Sequence, residues 1–477
     1  MNPTIVSRFR RGVSFTGEHL DLGGAPVQLK ALTPGQGAAL KLLSDGDRDD
    51  TELAAAVTAL DGETGLLRWH MLFRGLNSSG LVEHAVRTDS TDSTDSTDST
   101  TGDTHEAGHD GDTREITARL RLVGRGTTLL APAPAGPARL SRFAEARVVD
   151  GTLTLQAPGR HLAVELAPRA AGLLGELAGW STGVPAPILR LLATAGLLAP
   201  GGPEDDIETT ERSHAQWNPG DLAFHARTRT PASASGYGGT HPLGDRFPPE
   251  PVSPPPAGIR TVALPVPDLE RIAAADPSLT EVLERRRSIR AHDMESPITL
   301  DQLGELLYRS LRRRGTMTGS DGQELADRPY PSGGAVHELE VYPLVTACEG
   351  VPAGLWHYAT DRHELELVAE PGKATAALVS EARGAAMLEA DPQVVLLVAA
   401  RFGRVMWKYE TVAYPLVLKH VGVLYQTLYL VATAMNLAVC GLGGGDTAAF
   451  ATASGRDPLL EGTVGELVLG SRPPLEG

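Results

Sequence analysis

The chain has few cysteines, few aromatic residues and no excess of basic residues. Only Cys348 and Cys440 occur among 477 residues, and aromatic side chains make up 5%. Two cysteines cannot build a disulfide framework or a thiolate zinc site. The formal net charge is −16, which argues against general nucleic-acid binding because such binding needs a basic surface.

The N-terminus also lacks the apolar core of a secretory signal. Its first residues, MNPTIVSRFRRGVSF, include early arginines but no continuous apolar region. Together with the low cysteine count, this predicts a protein of the reducing cytoplasm.

Glycine and proline are abundant, with 53 and 35 residues, so loops and linkers should be plentiful. Residues 88–113 include an Asp-Ser-Thr repeat and contribute −8 of the net charge, which predicts a disordered acidic linker. Residues 201–261 contain many prolines and predict an extended connector. A chain of this length can form several domains around these segments.

The segments on either side of the acidic linker are predicted to fold as small modules. In residues 1–87, a strand pattern at Pro26–Leu32 precedes helical patterns that begin at Thr33-Pro34 and end before a short strand. In residues 114–200, three strand patterns with a turn at Asp150-Gly151 precede two helical patterns. The shared order of elements resembles winged-helix units, so we predict two winged-helix-like modules.

Residues 262–477 alternate irregularly between helix and strand patterns, which favours an α+β domain. Thr299 and Gln302 match a capping box that begins a helix through Leu311. Loop residues separate this helix from later strand patterns, among them a hairpin around residues 354–368.

The longest apolar run extends from Tyr414 to Val439 and predicts a central helix buried on all sides. Such a run is also long enough to cross a membrane. Lys419, His420 and Gln426 interrupt the run, and no basic loop flanks it. A helix in the core or at a subunit interface is therefore favoured over a membrane span, and no membrane association is predicted.

Three motifs in this region carry candidate chemistry. The sequence RRRSIR at 285–290 groups guanidinium groups and a hydroxyl, which suit a phosphate monoester, although a solvated basic helix end is the alternative. Lys408-Tyr409 precedes the long apolar run, and glycines at 441–445 close it, which suggests a cofactor pocket. We do not interpret these glycines as a dinucleotide fingerprint because they are expected to follow a helix.

Two HELE sequences, at 337–340 and 363–366, resemble part of a zinc motif. Neither has the second histidine that a helical zinc site needs, and both are predicted to lie in strands. No metal site is predicted.

The order of these motifs resembles the nitroreductase-like flavoproteins, and within them the dehydrogenases that oxidise azolines in ribosomally made peptides. The sequence from Val412 to Met435 is similar to members associated with thiopeptide assembly. The resemblance implies an antiparallel-rich sheet with helices around a buried central helix. It also implies FMN as the cofactor and assigns cofactor contacts to Arg286, Arg287, Ser288, Arg290, Ser332, Gly333, Gly334, Gly443, Gly444 and Arg472.

The same resemblance implies an enzyme that oxidises thiazolines, or oxazolines, to azoles in a modified precursor peptide. Lys408 or Tyr409 would be the base, and the other residue would orient the substrate. Many members have other residues where Pro415, Lys419 and Val423 stand here, which leaves open the azoline that is accepted.

The resemblance also bears on partners. It implies a homodimer that shares FMN, with Ser332, Gly333 and Gly334 supplied by the partner chain. The N-terminal modules resemble peptide-clamp domains, and cyclodehydratase proteins are the expected further partners. The alternatives are a small-molecule nitro- or quinone reductase and a non-catalytic peptide-binding scaffold with a flavin fold.

Overall fold

The computed structural model describes residues 3–24, 26–89, 114–229, 238–256 and 260–474. The chain divides into two compact units, residues 1–235 and 236–477. The predicted extended connector, residues 201–261, is thus divided between the two units, and its first part is not extended, because Ile207–Thr210, Arg212–Ala215 and Pro219–Arg229 are helices. The predicted acidic linker lies outside the described residues except for Thr88 and Asp89, which end a strand.

The first unit combines short helices with antiparallel strands. Its strands are β1 (Thr4–Phe9), β2 (Ser14–Thr16), β3 (His19–Asp21), β4 (Val27–Gln28), β5 (Arg48–Asp49), β6 (Val82–Asp89), β7 (Arg114–Leu122), β8 (Glu145–Val149), β9 (Thr152–Gln156), β10 (Leu162–Leu166), β11 (Gly201–Gly202) and β12 (Asp205–Asp206). Its helices are α1 (Pro34–Asp45), α2 (Asp50–Asp61), α3 (Gly65–Ser78), α4 (Gly172–Glu176), α5 (Ala186–Thr194), α6 (Ile207–Thr210), α7 (Arg212–Ala215) and α8 (Pro219–Arg229).

Local sequence signals account for several of these elements. Thr33 caps α1 in a capping box with Gln36, as the Thr33-Pro34 signal predicts. The turn between β8 and β9 has φ of 49° at Asp150 and 77° at Gly151, the pair of positive values that a tight type I′ hairpin requires. These predictions are confirmed.

A single seven-stranded sheet, in the order β5-β1-β6-β7-β10-β9-β8, runs through both predicted modules. The two modules meet where β6 pairs antiparallel with β7. This sharing was not expected from the sequence. It has a physical reason, since each module alone would expose a strand edge with unpaired N–H and C=O groups.

The pairing of β6 with β7 gives a sharp prediction about the acidic linker. Asp89 and Arg114 are partners across the two strands, so the intervening residues need only close a hairpin. We expect replacement of residues 90–113 by Asn-Gly to leave the free energy of unfolding unchanged or raise it by up to about 2 kcal/mol, because loop closure becomes less costly. Urea denaturation followed by circular dichroism measures this.

A variant with a Gly/Ser segment of the original length is the matched control. We expect both variants to fold as the full chain does and to match it in the activity assay described under the proposed function. Loss of folded protein or of that match in the Asn-Gly variant alone would show that the linker does more than connect.

The second unit contains nine further strands and seven further helices within its described residues. The strands are β13 (Thr261–Ala263), β14 (Gly315–Thr318), β15 (Glu324–Asp327), β16 (Leu339–Val345), β17 (Gly354–Ala359), β18 (Glu364–Ala369), β19 (Val394–Arg401), β20 (Leu437–Gly441) and β21 (Glu461–Ser471). The helices are α9 (Leu269–Ala275), α10 (Leu279–Arg285), α11 (Leu300–Leu311), α12 (Lys373–Ala386), α13 (Phe402–Met406), α14 (Ala413–Ala434) and α15 (Thr447–Ser454).

The main sheet of this unit is antiparallel, in the order β13-β18-β17-β16-β19-β21-β20. Helices α11 and α14 pack on one face, while α12 and α15 pack on the other. Every residue of β19 is buried, as expected for a continuous apolar strand covered on both faces. The predicted α+β class and the predicted hairpin of β17 with β18 are confirmed.

The long apolar run is not one helix, which corrects the prediction. Helix α14 ends at Ala434, Asn436 takes a left-handed φ of 55°, and Leu437–Gly441 forms the edge strand β20. Apolar composition alone does not distinguish a buried helix from a buried strand. The glycine cluster therefore follows a strand and precedes α15. It is still no dinucleotide fingerprint, because β20 is antiparallel and the Asp446 carboxylate caps α15.

Helix α14 is also not buried on all sides. Its core face includes Val417, Leu424 and Leu428, whereas Tyr414, Leu418, Gly422 and Gln426 form an exposed stripe at four-residue spacing. By length and composition α14 could span a membrane, but its core face packs on the sheet as a core helix does. Gly465 of β21 permits the close approach, since a Cβ there would lie 2.5 Å from the Tyr425 hydroxyl oxygen.

One further element differs from the sequence prediction. The glycine- and charge-rich segment before Arg328 forms the hairpin of β14 and β15 rather than an irregular loop. Helix α10 is capped by the Ser278 hydroxyl, which accepts a hydrogen bond from the Glu281 backbone N–H. The Thr299–Gln302 capping box is confirmed at the start of α11.

Candidate functional site

The arginine-rich motif lies beside the edge of the main sheet. Helix α10 ends at Arg285, and the Ile289 backbone N–H donates to the Val439 carbonyl oxygen at 3.0 Å. This bond holds the extended segment from Arg286 to Arg290 against β20. The motif is therefore an ordered segment after the helix, rather than the end of the helix itself.

Two members of the motif meet one tyrosine of α14. The Arg286 guanidinium lies 5.5 Å from the centre of the Tyr429 ring, and the Ser288 Oγ lies 3.0 Å from the Tyr429 hydroxyl oxygen. That hydroxyl also accepts a 2.7 Å hydrogen bond from the Gly441 backbone N–H. A guanidinium and two hydroxyl groups at one place form a donor set that suits a phosphate dianion.

The other arginines of the predicted set are less closely grouped. Arg287 donates to the carbonyl oxygens of Glu284 and Arg286, so its side chain folds back on the end of α10. Arg290 is exposed, and Arg472 donates to the Asn436 side-chain oxygen at 3.1 Å, just after β21.

A second group of predicted residues surrounds Gly334. This glycine has a φ of 65°, and a Cβ there would lie 2.5 Å from the Tyr409 hydroxyl oxygen and 3.7 Å from the Lys408 Cε. The Ser332 Oγ accepts a 3.0 Å hydrogen bond from the His337 backbone N–H, which closes the loop. The structure thus places Lys408 and Tyr409 directly against the predicted flavin loop.

Lys408 has a charge partner that the sequence did not indicate. Its Nζ lies 3.0 Å from Asp321 Oδ2, in the turn between β14 and β15, and the two side chains are only 16% and 15% exposed. The two groups form a partly buried ion pair. This pair fixes the position of the charged end of Lys408.

The glycine loop is supported from α14 by a buried histidine and glutamate. The Gly333 backbone N–H donates to His420 Nε2 at 2.7 Å, and His420 Nδ1 lies 2.7 Å from Glu338 Oε1. Because Nε2 accepts a hydrogen bond, the ring proton must be on Nδ1 and be donated to Glu338. This chain of bonds fixes the position of Gly333.

The two groups lie on different sides of α14. His420 contacts the Gly333 loop and Tyr429 contacts the arginine motif, nine residues further along the helix. That spacing corresponds to about half a turn around the helix axis and about 13 Å along it. One chain therefore presents two half-sites rather than one closed pocket.

Comparison with known proteins identifies the second unit. Residues 283–470 match the model of the nitroreductase family. The chain contains a nitroreductase-family domain. A Methanocaldococcus jannaschii protein classed with the nitroreductases is 28% identical over 183 residues, which is 38% of this chain and 84% of that protein.

The chain also has limited similarity to solved structures. A chain of the Escherichia coli microcin synthetase McbBCD complex with truncated pro-MccB17 bound is 22% identical, with a TM-score of 0.35, over 54% of this chain and 95% of that chain. A Desulfovibrio desulfuricans protein classed with the nitroreductases, solved in complex with FMN, is 16% identical, with a TM-score of 0.27, over 42% and 94%. The predicted nitroreductase-like fold is confirmed by the family match.

The glycines after β20 in the nitroreductase domain differ in their surroundings. A Cβ at Gly443 or Gly444 would meet no atom within 4 Å, whereas a Cβ at Gly445 would collide with the Glu466 carboxylate. Burial raises the pKa of Glu466 to about 7. Packing within the chain thus requires glycine at 445, and the space beside Gly443 and Gly444 is open for a ligand. Their predicted cofactor contact stays a prediction.

Several site residues of the nitroreductase domain were not expected from the sequence. They are Tyr429, His420, Glu338 and Asp321. The sequence did contain one signal for Tyr429 and His420. A tyrosine or histidine within an apolar helix needs a hydrogen-bond partner for its polar group. The described residues contain no group of three or more His, Cys, Asp or Glu side chains that could hold a metal ion.

Proposed function

We propose that this protein is an FMN-dependent dehydrogenase that oxidises thiazolines, or oxazolines, to azoles in a ribosomally made precursor peptide of the thiopeptide type. The observation that carries the proposal is the placement of Lys408 and Tyr409 over Gly334. A proton-handling pair on a glycine loop suits a reaction that removes a proton and a hydride from neighbouring carbons. The reaction takes place in the cytoplasm.

The residues present fit FMN. Arg286 and Ser288, with the Tyr429 hydroxyl, supply charged and neutral donors for the phosphate, and Arg290 and Arg472 add positive charge near β20. The loop around Gly334 and the open space at Gly443 and Gly444 permit backbone to approach a flat ring. When bound, FMN supplies a two-electron acceptor for hydride.

The chain's own residues handle the proton. The azoline carbon beside the imine and the carbonyl is acidic, so a positioned base can remove its proton. Lys408 is paired with Asp321, and a positive charge at this place orients an electron-rich substrate and stabilises negative charge at its neighbour, Tyr409. Either side chain becomes a base only after losing its own proton, and the variants described in the Discussion distinguish the two roles.

The two half-sites support a homodimer. Because Ser332–Gly334 and the arginine motif lie on different sides of α14, two copies would complete a cofactor site that one copy leaves divided. The exposed stripe of α14 is the surface that we assign to the second copy. In the dimer the partner chain would supply Ser332, Gly333 and Gly334 to each FMN.

We expect Leu418→Glu to convert the dimer to a monomer and to lower the FMN content, because a charge would be buried at the centre of the stripe. Light scattering and the absorbance of bound flavin measure both effects. Leu67→Glu, at an exposed leucine of α3 in the first unit, is the control and should change neither. A wild-type protein that is a monomer with full FMN content would contradict the proposal.

The first unit is proposed to bind the peptide substrate. Cyclodehydratase proteins are the proposed further partners. The seven-stranded sheet ends at β8, where Val148 is 74% exposed, and an extended peptide can add to such an edge. We expect Val148→Lys with Val149→Lys to weaken peptide binding by about tenfold, as measured by fluorescence anisotropy of a labelled precursor peptide. Leu67→Lys is the control, and unchanged binding in the β8 variant would place the peptide elsewhere.

Mass spectrometry of a cyclodehydrated precursor peptide tests the enzymatic proposal. The expected result is a loss of two hydrogens per azoline ring in the presence of the protein. Reduction of nitroaromatics or quinones without any loss of hydrogen from the peptide would favour the small-molecule reductase. Purified protein without a yellow chromophore, even after incubation with FMN, would favour the non-catalytic scaffold.

A further inference from the structure

We propose that Asp321 and His241 are positioning residues for Lys408, which makes the proline-rich connector part of the active site. The placement of the Lys408 side chain follows from the geometry alone. Its effect on the reaction rate rests on the proposed function. Neither residue belongs to a motif that the sequence singled out. Both act through Lys408, rather than on the substrate.

One carboxylate oxygen holds both partners. Asp321 Oδ2 lies 3.0 Å from Lys408 Nζ and 3.0 Å from His241 Nε2. The second oxygen, Oδ1, accepts a 3.2 Å hydrogen bond from the Gln323 backbone N–H. Burial opposes ionisation of this carboxyl, but the hydrogen bonds from Lys408 and His241 hold the pKa of Asp321 well below its usual range. The carboxylate therefore stays ionised between its two donors.

His241 also holds the backbone of the lysine. Its own backbone N–H donates to the Lys408 carbonyl oxygen at 3.2 Å, and its ring lies edge-on to Trp407 with 5.0 Å between ring centres. A Cβ at Gly239 would lie 3.2 Å from Lys408 Cγ, so this segment also confines the lysine stem. Lys408 is thus held at its carbonyl, its stem and its charged end.

The backbone of His241 is itself constrained. Its φ of 50° lies in the left-handed region, which a non-glycine residue adopts only when its surroundings require it. Such strained residues cluster at sites where the geometry of a side chain matters. Here the hydrogen bonds from His241 to Lys408 and Asp321 hold the backbone of His241 in this conformation.

The connector around His241 is attached to the segment that carries Lys408. The Trp407 indole N–H donates to the Phe247 carbonyl oxygen at 2.8 Å, and Arg404, which is fully buried, donates to the Glu250 carbonyl oxygen at 2.7 Å. Arg404 also donates to the Glu324 carbonyl oxygen, in the hairpin that carries Asp321. These bonds bring the connector, the hairpin and the lysine segment into one assembly.

Amine labelling of the full-length protein tests the positioning directly. The lysines of the chain are Lys30, Lys41, Lys373, Lys408 and Lys419, so peptide mass spectrometry can follow each one after treatment with an N-hydroxysuccinimide ester. Only the unprotonated amine reacts. We expect Asp321→Asn to raise labelling at Lys408 by about threefold to tenfold, because the side chain loses its ion-pair partner and becomes more accessible to the reagent. Labelling at Lys373 should not change.

Three further variants separate positioning from general loosening of the fold. His241→Ala should raise labelling at Lys408 by about twofold, whereas His241→Gln, which keeps an N–H donor, should restore most of the protection. Asp327→Asn is the matched control, since it breaks the ion pair with Arg314 at the other end of the same hairpin. That variant should leave Lys408 unchanged.

Single-turnover flavin reduction then measures the catalytic consequence. With an azoline peptide, Asp321→Asn should lower the rate by about one to two orders of magnitude at unchanged FMN content, as expected for a misplaced catalytic group. Unchanged labelling at Lys408 in both Asp321→Asn and His241→Ala would overturn the positioning inference, whatever the rates are. Raised labelling with wild-type rates would support the positioning and would instead contradict a role of Lys408 in the proposed reaction.

Discussion

Lys408→Ala is expected to lower azoline oxidation by about two to four orders of magnitude, the usual contribution of a general acid or base. The variant should fold and bind FMN normally, because Lys408 contacts the site through its charged end and its stem rather than through the hydrophobic core. Stopped-flow bleaching of the flavin in a single turnover measures the hydride step itself. Lys373→Ala, at an exposed lysine at the start of α12, is the control.

Tyr409→Phe separates chemistry from packing at the same place. The variant removes only the hydroxyl, whose oxygen lies over Gly334, and it keeps the ring against the core. A large loss of rate would assign proton transfer to Tyr409, with the Lys408 ammonium as its electrostatic partner. A nearly silent Tyr409→Phe together with an inactive Lys408→Ala would assign the base to Lys408. Wild-type bleaching rates in both variants would remove the pair from the mechanism.

Arg286→Ala combined with Ser288→Ala is expected to remove FMN from the protein. Charge-assisted hydrogen bonds to a phosphate contribute about 1.5–3 kcal/mol each, so the loss of two should weaken binding by roughly two to four orders of magnitude. Gel filtration followed by the absorbance ratio of flavin to protein measures retention. A fluorescence titration with added FMN gives the change in Kd.

Arg285→Ala is the matched control for that experiment. Arg285 belongs to the same run of arginines, but its guanidinium pairs with Glu281 at 3.0 Å on the exposed face of α10. Such an exposed pair contributes little, so FMN content should stay at the wild-type value. Stoichiometric FMN in the Arg286/Ser288 double variant would show that the phosphate lies elsewhere, and Arg472 would be the next residue to test.

The sequence predicted the local structure best where one short motif encodes it. Thr299 and Gln302 encode a helix start through hydrogen bonds within four residues, and the structure has this capping box. In the same way, Ser332-Gly333-Gly334 and Lys408-Tyr409 were named from short motifs, and the structure brings the two together at Gly334. Short motifs could not show that Arg287 turns away from its neighbours, because that depends on the carbonyl oxygens at the end of α10.

The partners of the site residues could not be read from the chain. Asp321 lies 87 residues before Lys408 in the sequence, and Glu338 lies 82 residues before His420, so only the folded sheet and hairpin bring them together. A carboxylate in a loop rich in glycine and charge looks like any solvated side chain. Its role becomes visible only when burial and distance are known.

By itself the sequence determined the class of the second unit, the position of its motifs and some elements, such as α11 and the hairpin of β17 with β18. Caps, turn residues and the periodicity of apolar positions act over a few residues, so they are encoded locally. Only the tertiary structure decided where α14 ends and β20 begins, that both N-terminal modules share one sheet, and that the two half-sites flank α14. These features depend on which surfaces pack together. An apolar residue fits a buried helix and a buried strand equally well, so tertiary packing decides between them.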